Sequence, residues 1–141
     1  RNGIKNMPGS GEIKNLGNVA YEILEPVRAK FEKPVMINSG YRCLELNRKI
    51  GSSDSSQHTK GMAVDFEIIG TPNIQVAYWV QNNCDFDQLI LEFYRPDEDN
   101  AGWIHASYCD GNNRKQVLTF DGKSYTDGLP EMLWENGKVK E

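Results

Sequence analysis

The chain has 141 residues, 38% of them hydrophobic and 26% charged, with a formal net charge of −4. That is enough for one domain with a real core, and the composition is neither disordered nor fibrous. The acidic balance leaves no basic footprint for nucleic acid, no lysine or arginine cluster for a membrane surface, and no apolar run near the ~20 residues a membrane span needs.

In chain order, the first stretch (RNGIKNMPGSGE, residues 1–12) is polar and glycine-bearing and reads as a lead-in. Leu16, Val19, Ala20, Ile23, Leu24, Val27 and Phe31 then recur at helical spacing, which predicts an amphipathic helix of four turns. Pro26 lies inside it and should either kink it or sit where a lost hydrogen bond is tolerated. Lys33-Pro34 ends the segment, PVMIN reads as a short strand, and Ser39-Gly40 turns into YRCLELNRKI, a short helix stopped by Gly51. GSSDSSQ (51–57) is a small-polar loop and MAVDFEI a strand. Thr71 followed by Pro72 reads as an N-cap and first helical position, opening a helix through IQVAYWVQNN with Ile74, Ala77 and Val80 or Trp79 inward. DQLILEFY and GWIHASY are two further strands joined by an acidic turn, and KQVLTFD follows the turn CDGNN. The tail, 124–141, is polar, with Leu129, Met132, Leu133 and Trp134 as a final anchor. Helices early and strands late give an α+β fold with helices on a mainly antiparallel sheet, in a single domain spanning 1–141.

The three cysteines, Cys43, Cys84 and Cys109, are irregularly spaced and form no CxxC pair. This argues against a disulfide framework, leaves one bridge open, and does not fix the compartment.

The chemistry centres on the two histidines. A catalytic zinc site takes three protein ligands and leaves a position open. His58 and Asp65 can converge if Gly61, which tolerates backbone angles others refuse, turns the chain between them. A carboxylate in the apolar run AVDFE is costly unless a cation or donors compensate. His105 lies mid-strand, sharing its face with Trp103 and Ser107 by the period of two. A plainer alternative is that each histidine is a satisfied structural residue and Asp65 caps a turn.

SGYRCLELN, SSQHTKGMAVDFEI, FDQLILEFY and GWIHASY, in that order, resemble the zinc D-alanyl-D-alanine carboxypeptidase family. It belongs to the group that also holds the lysostaphin-type enzymes and the hedgehog signalling domain. The likeness covers about residues 3–119 and includes a full HxxGxAxD element (His58, Gly61, Ala63, Asp65). It is nearest to compact versions common in bacteriophages and prophages, whose chains usually begin before the RNGI stretch, so a further N-terminal piece is expected. The resemblance implies the hedgehog/DD-peptidase-like fold, one Zn2+ per chain held by His58, Asp65 and His105, and Arg42 as the stabiliser of charge on the scissile carbonyl oxygen.

Many members of the group carry an acid three positions before the last histidine, where this chain has Gly102. The acid that strand geometry offers instead is Glu92, if LILEFY and GWIHASY pair; Asp97, Glu98 and Asp99 are weaker options, and pairing with Arg42 or Arg95 would make Glu92 structural. Tyr41, Ser56, Gln57, Trp103 and Ser107 are expected as walls of the site or partners of the ligands. The implied activity is hydrolysis of peptidoglycan stem peptides at the bacterial cell wall, by carboxypeptidase or endopeptidase action, in a monomer without nucleic acid or membrane partners. The alternative is an inactive zinc-binding module of the same fold that serves cell-wall or partner binding.

Overall fold

A computed structural model describes residues 3–98, 100–135 and 138–140. The first helix, α1 (Ser10–Val19), begins inside the expected lead-in, with Glu12 accepting a hydrogen bond from the Gly9 amide at 3.4 Å. It runs through a π-helical turn at Ala20–Leu24 into α2 (Glu25–Phe31). Proline lacks an amide hydrogen and its ring crowds the carbonyl four residues back. The widened turn absorbs that misfit just before Pro26, with the Glu25 amide reaching back to the Ala20 carbonyl. The helix therefore continues past the proline, and Val19, Ile23 and Val27 all stay fully buried.

The remaining elements are β1 (Met36–Ser39), α3 (Leu44–Lys49), a 3₁₀ turn at Gln57–Lys60, β2 (Ala63–Glu67), α4 (Asn73–Asn83), β3 (Gln88–Glu92), β4 (Trp103–Ser107), β5 (Gln116–Phe120) and β6 (Tyr125–Asp127). Leu133–Glu135 and Lys138–Lys140 (β7 and β8) pair as a separate small ribbon. Helix α4 starts one residue later than expected: Pro72 is the cap, without a side-chain capping bond, and Thr71 precedes it. Ile74, Ala77 and Val80 are buried, and Trp79 is partly buried against Phe31.

The sheet order is β1-β2-β4-β3-β5-β6, antiparallel except between β3 and β5. The expected third strand therefore does not fold back on GWIHASY as a hairpin; β5 passes to the far side of β3 and lies parallel to it. Alternation sorts the two faces. Val64, Phe66, Leu89, Leu91, Ile104 and Ala106 form one face, fully or nearly buried against Val19, Ile23, Val27 and α4. The opposite face carries the chemistry. Leu129 and Met132 pack on the core edge, and Pro130 accepts a 2.6 Å bond from the Tyr78 hydroxyl. The side chains of Leu133 and Trp134, and all of Asp99, lie outside the described residues. Among the described residues no helix is long and apolar enough to cross a membrane. Cys43, Cys84 and Cys109 are free thiols, which closes the question of a bridge.

Candidate metal centre

The open face is organised in cross-strand rows. Asp65, His105 and Ile90 stand opposite one another on β2, β4 and β3. One step along, Trp103, Glu92, Phe120 and Tyr125 form a second row across β4, β3, β5 and β6. His58 approaches from the 3₁₀ turn, which Ser56 starts by accepting the His58 amide at 3.3 Å. Gly61 ends that turn at φ +74, as expected from the bend needed there. A second constraint acts on it: a Cβ there would stand 2.5 Å from the Glu12 carbonyl oxygen of α1.

The ligating atoms of His58, Asp65 and His105 lie within 4.8 Å of one another, and all three residues are buried. Asp65 Oδ1 sits 3.0 Å from His105 Nδ1 and 3.4 Å from His58 Nε2. Burial works to raise the Asp65 carboxyl, but the hydrogen bonds and charges of His105 and His58 outweigh it and hold it well below the usual carboxylate range. The His58 Nδ1 lies 2.7 Å from the Gly40 carbonyl oxygen. A carbonyl can only accept, so Nδ1 carries a proton and donates it there, which leaves Nε2 as the ring nitrogen turned toward Asp65. Two imidazoles and one ionised carboxylate, one imidazole already oriented by a backbone carbonyl, make a donor set that suits zinc.

Arg42 is held beside this group by the same turn. Its amide donates to the His58 carbonyl at 3.0 Å, and Asn6 pins the flanking residues by accepting from the Cys43 amide (2.7 Å) and donating to the Tyr41 carbonyl (2.9 Å). The guanidinium is half-buried and reaches Ser39 Oγ at 3.5 Å, while its Nε–H is buried without a partner among the described residues. Burial lowers its pKa, and the nearby Asp65 and Glu92 work to restore it.

Glu92 Oε1 lies 3.9 Å from His105 Nδ1. Burial, reinforced by the Asp65 charge, pushes the Glu92 carboxyl up to about 7, against the opposing pull of His58, Arg42 and the Trp103 indole. That indole N–H is buried and favours the ionised carboxylate by proximity, but it makes no hydrogen bond of good geometry. Arg95 instead pairs with Asp97 and Glu98 in the exposed connecting turn, away from the centre.

Ser56, Gln57 and Trp103 line the cavity of about 660 Å³ that holds these groups, together with Arg42, Glu92 and the three candidate ligands. Tyr41 and Ser107 do not. The Tyr41 carbonyl is used by Asn6, and Ser107 is fully buried, its hydroxyl accepting from the Gln88 amide at 3.0 Å. Sequence reasoning missed Asn6, Asp87, Gln88, Arg114 and Tyr125. Asp87 carried a faint signal, an acid at the entrance of an apolar strand; Arg114 carried none, because its partner is distant in sequence.

Comparison with curated proteins finds no match. The family model for peptidase M15 matches residues 3–106, which include β1 to β4 up to Ala106, all three candidate ligands, Arg42 and Glu92. The fold and the His58/Asp65/His105 group agree with that match: the chain belongs to the peptidase M15 family, whose members are zinc-dependent metallopeptidases.

Proposed function

We propose that this metallopeptidase hydrolyses peptide bonds in the stem peptides of peptidoglycan at a bacterial cell wall, with His58, Asp65 and His105 holding the zinc ion. The observation that carries the reading is the placement of Glu92: a raised carboxyl on the ligands' own sheet face, 3.9 Å from His105, with Arg42 beside it. Zinc bound by these residues supplies Lewis-acid polarisation of a carbonyl and lowers the pKa of water toward ~7.

The protein's own groups account for the rest. Glu92 accepts the proton of the attacking water and returns it to the departing amine, a role that asks for a carboxyl pKa near the working pH. Arg42 offers N–H donors to the oxygen that becomes negative in the tetrahedral intermediate, and its attachment to the His58 turn fixes their direction. The wall formed by Ile90, Trp103 and Tyr125 limits water around Glu92, which strengthens both interactions.

The test is incubation with peptidoglycan and synthetic muropeptides, with and without a chelator, and mass spectrometry of the products. Loss of terminal D-alanine supports carboxypeptidase action, and an internal cut supports endopeptidase action. In either case the cut should vanish with the chelator and return with zinc. A zinc-loaded protein that leaves every substrate intact would overturn the proposal.

A further inference from the structure

At the other end of the cavity from the aromatic row stands a second built feature. Asp87 is 3% exposed yet ionised, and it is surrounded by donors. The Arg114 amide reaches Oδ1 at 2.9 Å, Arg114 Nε lies 3.1 Å from Oδ1, Arg114 Nη2 lies 2.7 Å from Oδ2, and Gln57 Nε2 lies 2.9 Å from Oδ2. The loop that carries Arg114 is braced on both sides. Asn113 clamps Cys109 through bonds of 2.8 and 3.0 Å, and the amides of Lys115 and Gln116 donate to the Phe86 and Asp87 carbonyls at 3.2 and 3.0 Å.

This fixes a guanidinium without hiding it. The Arg114 side chain is 58% exposed, against 4% for its partner, and it lines the cavity that holds the metal ligands. Guanidinium carries five N–H donors, of which Asp87 engages those on Nε and Nη2. Nη1 makes no hydrogen bond among the described residues. A planar fork held by one carboxylate, with its other edge open to a polar cavity, matches the geometry that binds a second carboxylate.

Building on the peptidase reading above, we propose that Arg114 binds a free carboxylate of the substrate and so sets the direction in which a stem peptide lies across the cavity. Asp87 is three positions before Ile90, the cross-strand neighbour of His105. At ~3.3 Å per residue that places the anchor on the order of 10 Å along the sheet from the metal ligands. The bound carboxylate therefore belongs to a part of the peptide beyond the residue next to the scissile bond.

Binding separates this inference from turnover. Two synthetic stem pentapeptides, one with free carboxylates and one with every carboxylate amidated, are titrated calorimetrically into zinc-loaded Glu92→Gln protein. The acid form should bind at least about tenfold more tightly, the effect of one charge-assisted pair. Adding Arg114→Gln or Arg114→Ala should bring the two forms to within about twofold, with circular dichroism confirming that each variant is folded. Equal binding of the two peptides, no binding of either, or a preference that survives both Arg114 variants would overturn the assignment. The comparison in Glu92→Gln protein with Arg114 intact needs no Arg114 variant, so equal binding there overturns the assignment even if a variant misfolds. Failure of the peptidase reading would look different: acid-selective binding with neither peptide cut by wild-type protein.

Discussion

Gly102 packs directly on the backbone of Glu92: a Cβ at 102 would overlap the Glu92 carbonyl oxygen, and φ there is +71. The position at which the resemblance leads one to expect an acid, as in many members of the group, is closed to any side chain here. The acid proposed as the base, Glu92, stands on the neighbouring strand and faces Trp103 directly. Gly102→Glu should therefore not improve catalysis. Left-handed strain of about 1–2 kcal/mol, added to a backbone clash, should lower the melting temperature by several degrees or more. A thermal melt checks this, and a stable, more active variant would contradict it.

Glu92→Gln should bind one equivalent of zinc by elemental analysis and lose on the order of 10²–10⁴ in kcat. The same substitution has an opposite effect on the metal-free fold. The folded carboxyl is raised from 4.5 to about 7, so the native state holds a proton that the unfolded chain releases earlier. The Glu92 contribution to the stability of the metal-free protein is therefore present below pH about 4.5 and is lost as pH rises to about 7. Metal-free Glu92→Gln should melt higher than wild type at pH 8 and at the same temperature at pH 4.

Arg42→Lys keeps the charge and loses the fork. If its donors act on the developing oxyanion, kcat should drop by about 10²-fold with KM little changed and zinc content intact. A rise in KM alone would make Arg42 a binding residue.

Asp87 gives the acid limb of stability. Its hydrogen bonds, those to the Arg114 side chain foremost, depress its pKa to about 2. A depressed carboxyl contributes stability above its unfolded pKa of ~3.9 and loses it as pH falls toward 2. Asp87→Asn should lower the melting temperature at pH 7, and the gap to wild type should close between pH ~5 and 2.

Metal removal should matter to the fold as well as to activity. Ligands that bind only the native state stabilise it by mass action. Zinc-loaded protein should melt above chelator-treated protein. Asp65→Ala should abolish that difference.

How far the sequence could be read depended on where the partners lie. Period-of-two alternation put His105 on a face with Trp103 and Ser107, and Gly61 marked a bend that could bring His58 toward Asp65. Joining the three into one ligand set rested on the family resemblance. Glu92 was accessible because β3 and β4 form a local hairpin. The parallel pairing of β5 with β3 was not, since hydrophobic alternation in QVLTF is the same whichever neighbour it joins. The π turn ahead of Pro26 has no signature beyond the proline itself. Arg42 needed the resemblance, because what aims it, the bonds linking Gly40, Arg42 and His58, is tertiary.

The family match ends at Ala106, within β4. Everything proposed to break a bond precedes it. Arg114 and Tyr125, which line the cavity, both come after it. β5 and β6 reach the site from the side, along β3, and β6 lies at the exposed edge of the sheet. A protein engineer seeking new selectivity would hold the chain fixed through Ala106, keep Arg114 on Asp87 and Val117 on the core, and vary the exposed strand Tyr125–Asp127.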